Sequence, residues 1–168
     1  MITIDTTEDR AVKLGKSYFF AGANNTLANN SFIDILLKAD EHLDFYLRSM
    51  IIDADAESAT LEMYLDPVVT VGAGTNGPLY SRNRGAQNNV KPVVATQGPT
   101  ITTQGDSLFP QPRHISGQSA PGNNAFMYVE LLTGGYIIPK GKSVLFRISN
   151  TSGSARSFSI LMSGRENI

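Results

Sequence analysis

Turn residues punctuate this chain at intervals of about ten, a spacing that leaves room for short strands and for little else. Ser17–Ala21 is apolar and aromatic, and Gly22–Asn30 after it is a polar turn rich in Asn, whose side chain bonds nearby backbone and tolerates positive φ. Ala59–Leu65 alternates cleanly, with Leu61, Met63 and Leu65 on one face. Pro67–Val71 reads as a further short strand, on an edge because proline cannot donate to a ladder. The pattern resumes over Ala125–Leu132, Tyr136–Ile138, Ser143–Ser149 and Ala155–Met162, separated by turns at Gly134 and Gly135, at Pro139–Gly141 and at Asn150–Ser154.

Residues 31–50 admit two readings. Phe32, Leu36, Leu43, Leu47 and Met50 fall near helical spacing, with Ser31 and Asp34 as a capping box. Against this, Phe32–Leu37 and Phe45–Ile52 are rich in β-branched and aromatic residues and bounded by acidic turns. The alternation that follows favours strands, with Asp53–Ser58 closing a hairpin. The sum is about eight strands, which predicts an all-β, jelly-roll-like sandwich over residues 16–168, preceded by an N-terminal arm, residues 1–15.

Residues 72–124 interrupt the pattern with Gly, Asn, Gln, Thr, Pro, Ser and Val. Structureless segments of that length are uncommon inside a compact domain and are usually functional or disordered. They predict one long extended loop that grips a partner. Within it, Arg82, Asn83 and Arg84 stand close to Tyr80, with Arg113 further on. Guanidinium forks and tyrosines are favoured at interface centres, so these five residues are the predicted partner contacts.

Charge is divided along the chain. Residues 1–71 hold 5 basic and 12 acidic groups, residues 72–124 hold 4 and 1, and residues 125–168 hold 5 and 2. An acidic first portion against a basic remainder favours ordered contact with an acidic partner or a second copy. The basic excess is too dilute for a nucleic-acid stripe.

Catalytic and metal chemistry have little to work with. Cysteine is absent and His42 and His114 are the only histidines, which removes thiolate chemistry and most zinc sites. Neither histidine accompanies a nucleophile signature such as G-x-S-x-G. Gly72, Gly74 and Gly77 match G-x-G-x-x-G, but Pro78 and the polar run after it offer no helix to meet a pyrophosphate. Asp53, Asp55 and Glu57 alternate as in calcium loops, yet lack the glycine and distal glutamate of an EF-hand. Neither an enzyme nor a cofactor is expected. Asn24, Asn29 and Asn150 head glycosylation triplets that read more simply as turns. Met1–Arg10 contains no signal-peptide apolar core, and no apolar run reaches the roughly 18 residues of a membrane helix, so a soluble protein made in a cytoplasm is expected.

Asp66–Thr75, Arg82–Arg84, Pro99–Gly105, Gly134 with Gly135, and Ile138–Ser152 occur in an order that resembles small tailed-bacteriophage virion proteins of the capsid decoration, or cement, type. The resemblance spans roughly residues 25–163. It implies a jelly-roll-like sandwich that assembles as a dimer or trimer on the outside of the head and bridges neighbouring major capsid subunits. The rival expectation is a head fibre or receptor-binding component whose loops recognise host glycans.

Overall fold

The computed structural model describes residues 7–54, 58–70, 72–83, 85, 91–116, 125–129 and 135–166. A short helix, α1 (Thr7–Lys13), leads into the strands β1 (Ser17–Leu27), β2 (Phe32–Ala39), β3 (Phe45–Ala54) and β4 (Ser58–Leu65). Five short strands follow: β5 (Val68–Val69), β6 (Thr75–Asn76), β7 (Leu79–Ser81), β8 (Val93–Gln97) and β9 (Ile101–Thr103). The chain continues through β10 (Asp106–Ser107), β11 (Arg113–Ser116), β12 (Ala125–Val129), β13 (Tyr136–Ile138), β14 (Ser143–Asn150) and β15 (Arg156–Glu166).

Two antiparallel sheets pack face to face. The first runs β12-β3-β15-β1-β7, with β13 also on β3. The second runs β10-β4-β14-β2-β8-β6, with β11 also on β4. Setting aside the short β5–β9, and taking β12 with β13 and β10 with β11 as single interrupted strands, leaves eight principal strands. Their two sheet orders, and the way successive strands switch sheets except between β4 and β10, are those of a jelly roll, two Greek keys folded together.

The core follows from period-two alternation. Phe158, Ile160 and Met162 of β15 point inward against Ile33, Ile35 and Leu37 of β2 and Phe146 and Ile148 of β14, all buried in one cluster. A smaller cluster lies on the opposite face of the second sheet. There Leu36, Tyr64 and Leu145 are covered by Val69 and Ile101 from the ribbon that β5 and β9 form.

The segment 72–124 differs most from expectation. Its described residues do not form one long loop but build β6–β11, of which all but β9, the partner of β5, widen the two sheets. β7 adds to β1 in the first sheet, while β8 adds to β2 and carries β6 in the second. The polar composition suits edge strands with one wet face: Val93 and Ala95 point into the core, whereas Val94 is 44% exposed. The glycines serve this path. Gly74 has φ of 88°, and a Cβ there would stand 2.8 Å from Thr96 and 2.9 Å from the Gln97 carbonyl oxygen.

Three smaller corrections follow, the first two because period-two patterns mark strands without naming their neighbours. β3 and β4 belong to different sheets, so Asp53–Ser58 crosses between sheets and closes no hairpin. β12 and β13 both lie antiparallel to β3 and run the same way, so the two are not the arms of a hairpin; Gly134 of the turn expected between them lies outside the described residues. The predicted arm contains α1, whose Ala11 is fully buried. At its end Gly15 takes φ of 72° and the Lys16 N–H donates to the Ala11 carbonyl, a left-handed helix stop.

The outer face of the second sheet carries a buried ionic row. Arg147 lies opposite Asp34 on one side and Glu62 on the other. Its Nε and Nη2 donate to both Asp34 oxygens at 2.8 Å, and the Phe32 ring lies 3.9 Å from the guanidinium carbon. The Tyr64 hydroxyl donates to Glu62 at 2.7 Å. Burial, then this bond and the Glu62 charge, push the Tyr64 phenol up to about 12. An unfolded tyrosine ionises near pH 10, so the folded state should lose stability as pH rises from about 10 towards 12. Absorbance titration should find late phenols, Tyr64 among them and burial also raising Tyr136, and Glu62→Gln should bring the Tyr64 phenol down; a set of phenols all ionising near pH 10 in folded protein would contradict this.

Candidate functional site

One irregularity in the first sheet shapes its outer surface. Leu47 and Met50 both point into the core although three residues apart, which strict alternation forbids. A β-bulge resolves the conflict: Ser163 lies opposite Ser49 and Gly164 opposite Leu47, leaving Arg48 as the extra residue. Gly164 is needed there, because a Cβ would stand 2.5 Å from the Tyr46 carbonyl oxygen and from the Phe45 ring. The bulge turns Arg48 out to solvent.

Arg48 meets a groove on this face. Phe19 of β1, Ser49 of β3, Leu161 and Ser163 of β15, and Arg82 just past β7 complete its lining, around an open volume of about 450 Å³. Phe19 and Tyr80 lie opposite each other on β1 and β7, and their rings stack at 5.1 Å and 24°. Tyr80 is 48% exposed and Leu161 41%. The Ser49 and Ser163 hydroxyls bond to each other at 2.7 Å, joining β3 to β15 across the floor. The Arg82 backbone N–H donates to the Ser17 carbonyl at 2.8 Å, which continues the β1–β7 ladder and fixes where its side chain starts.

The predicted contact residues do not converge. Tyr80 and Arg82 stand at the groove. Asn83 is engaged inside the chain: its side-chain amide donates to the Lys13 carbonyl, and its side-chain oxygen accepts from the Gly85 N–H. It ties the end of α1 to the strand edge. Arg84 lies outside the described residues. Arg113 lies on β11, at the β4 edge of the second sheet, whereas β7 is the edge strand of the first sheet beside β1. Its guanidinium sits 5.2 Å from the Phe109 ring. Phe19, Arg48, Ser49, Leu161 and Ser163 were not foreseen, because they come together only through sheet pairing. The spacing of Leu47 and Met50 was the available signal for Arg48.

Comparison with protein-family models finds no match, and comparison with curated proteins finds none either. The function therefore rests on the chemistry of the chain.

The other motifs resolve into structure. Thr75 and Asn76 form β6 where a nucleotide fold would open a helix. A Cβ at Gly77 would strike the Phe20 ring, so that glycine answers to packing. Asp55 and Glu57 lie outside the described residues. Among the described residues no three His, Asp or Glu side chains are grouped as metal ligands, and no helix is long and apolar enough to cross a membrane. Asn150 is fully buried; its amide donates to the Leu27 and Ser154 carbonyls, and its oxygen accepts from Ser152. It caps the β14–β15 turn.

Proposed function

We propose that this protein is a structural component of a bacteriophage virion, a decoration protein that binds the outside of the head and cements neighbouring major capsid subunits. The observation that carries the reading is the exposed face of the first sheet, where Phe19, Tyr80 and Leu161 lie beside Arg48 and Arg82. Aromatic and arginine side chains around an apolar centre are the composition of a protein-binding surface. A jelly roll supports it by analogy alone, since capsid proteins, lectins and enzymes share that scaffold. The sequence resemblance points the same way. A cement protein performs no turnover. It stabilises the shell by binding the assembled state better than the loose subunits, and many copies on one shell act together.

Heads of the encoding phage should burst at a lower temperature without the protein than with it. Leu161→Asp should abolish sedimentation of the protein with heads while leaving its own melting temperature within about 2 °C, because an exposed position contributes little to folding. Equal burst temperatures with and without the protein would count against the cement role.

A further inference from the structure

The ribbon of β5 and β9 is set across the second sheet. Its first strand comes from β4 through Asp66 and Pro67 and leads towards β6; its second comes from β8 through Gly98 and Pro99 and leads towards β10, which pairs with β4. One end of the ribbon therefore sits at β4 and the other at β8, and in the sheet order β14 and β2 lie between them. Beneath it are Tyr64 of β4, Leu145 of β14 and Leu36 of β2, covered by Val69 and Ile101. Among the described residues its backbone bonds run within itself: β5 to β9, the Thr70 N–H to the Thr100 carbonyl and the Ala73 N–H to the Thr70 carbonyl.

The two ends are built differently. At β4 the end is locked. Asp66 takes φ of 45°, a region few side chains adopt, and three bonds hold it there: its N–H donates to the Ser143 carbonyl, and its carboxylate accepts from the Ser143 N–H at 3.1 Å and from Lys142 Nζ at 2.9 Å. Gly105 beside it has no room, since a Cβ would strike the Leu65 carbonyl oxygen. At β8 the end is jointed. Gly72 and Gly98 take φ of 79° and 64°, and a Cβ at either would meet nothing within 4 Å. Glycine in open space turns through either sign of φ at little steric cost. The Gly98 N–H still donates to the Asp34 carbonyl, and Gly74 is packed on Gln97, so the ribbon parts from the sheet just beyond these two points.

We propose that the ribbon is a hinged strap, which lifts from Leu36 and Leu145 by rotation at Gly72 and Gly98, pivots on the locked Asp66 end, and leaves the sandwich folded. Lifting gives up the burial of Pro99 and the cover that Val69 and Ile101 provide, whereas opening the sandwich gives up its whole core. The strap therefore opens far more often than the sandwich unfolds. A two-stranded ribbon also has little stability apart from the surface it rests on. While lifted, it bares an apolar strip on the sheet opposite the groove. The strap is independent of the decoration reading, and its test uses the free protein.

The chain has no cysteine, so a single introduced thiol reports exposure cleanly. Leu36 and Leu37 are neighbours on opposite faces of β2, 6% and 2% exposed, one under the strap and one in the core. With a water-soluble thiol reagent in excess, Leu36→Cys should react about 100-fold faster than Leu37→Cys, with little dependence on low concentrations of urea. It should also react about tenfold or more slowly than Val68→Cys, an exposed position on the strap itself, because the cover is closed most of the time. Adding Gly72→Ala strains the closed joint without a clash, and should speed labelling of Leu36→Cys about fivefold while leaving Leu37→Cys unchanged.

Hydrogen exchange on the unaltered chain gives a second measurement that needs no variant to fold. The Thr70 amide should exchange about 100-fold faster than the amides of β14, again with little dependence on urea. The strap is overturned by equal labelling of Leu36→Cys and Leu37→Cys, by labelling of Leu36→Cys as fast as Val68→Cys, or by Gly72→Ala without effect. Exchange of Thr70 only together with β14 overturns it as well.

Discussion

Phe146→Ala should lower the free energy of unfolding by about 3–5 kcal/mol, the range for truncating a fully buried aromatic. Phe146 has no exposed surface, and it stands on β14 between Ile35 of β2 and Met63 of β4, in the middle of the second sheet. Both neighbouring strands are held by continuous ladders, so the walls cannot collapse into the cavity. Urea unfolding should show the loss as a lower midpoint at unchanged slope. Leu145→Ala, one residue away and equally buried, faces outward under the β5–β9 ribbon. Its cost should be smaller, because a two-stranded cover can settle inward. Equal losses at the two positions would show that the ribbon is as rigid as the sandwich.

Breaking the ionic row should produce the second large effect. Asp34→Ala should destabilise the protein by about 3 kcal/mol, which for a chain of this size lowers the melting temperature by roughly 6–12 °C. Asp34 is 4% exposed and accepts two bonds from Arg147, so its loss leaves a mostly buried guanidinium without its bidentate partner. The cost comes from that stranded charge more than from the lost attraction. Replacing both residues, Asp34→Leu with Arg147→Met, should therefore recover most of the stability. A double variant as unstable as Asp34→Ala would show that the pair itself, and not the stranded charge, holds the ribbon side of the sheet.

Local features of this fold were legible in the sequence and pairing was not. Ala59–Leu65 and Ser143–Ser149 are strands because their alternation is long enough to read, and the strand reading of residues 31–50 holds in β2 and β3. The path of residues 72–124 was hidden because its strands are two to five residues long, too short for alternation to stand out from a polar background. The candidate site shows the same limit. Tyr80 and Arg82 were visible as residue types suited to contact, yet the distance in sequence from Arg48 to Arg82 and Leu161 is bridged only by which strands become neighbours. Arg113 shows the converse: it lies in the same polar segment as Arg82 but on an edge strand of the other sheet.

The strand order also fixes when the fold can form. β15 separates β1 from β3 in the first sheet, and β14 separates β2 from β4 in the second, although both follow every other described strand. Until they emerge, β1 has only the three-residue partner β7, and β4 only the fragments β10 and β11. Without them the sheets exist only as separate pairings, β2 with β8 and β3 with β12 and β13 besides these. Completion of both sheets thus waits for two late strands and rests on distant pairings, which makes it slow, and it leaves half-made edges exposed until β14 and β15 dock.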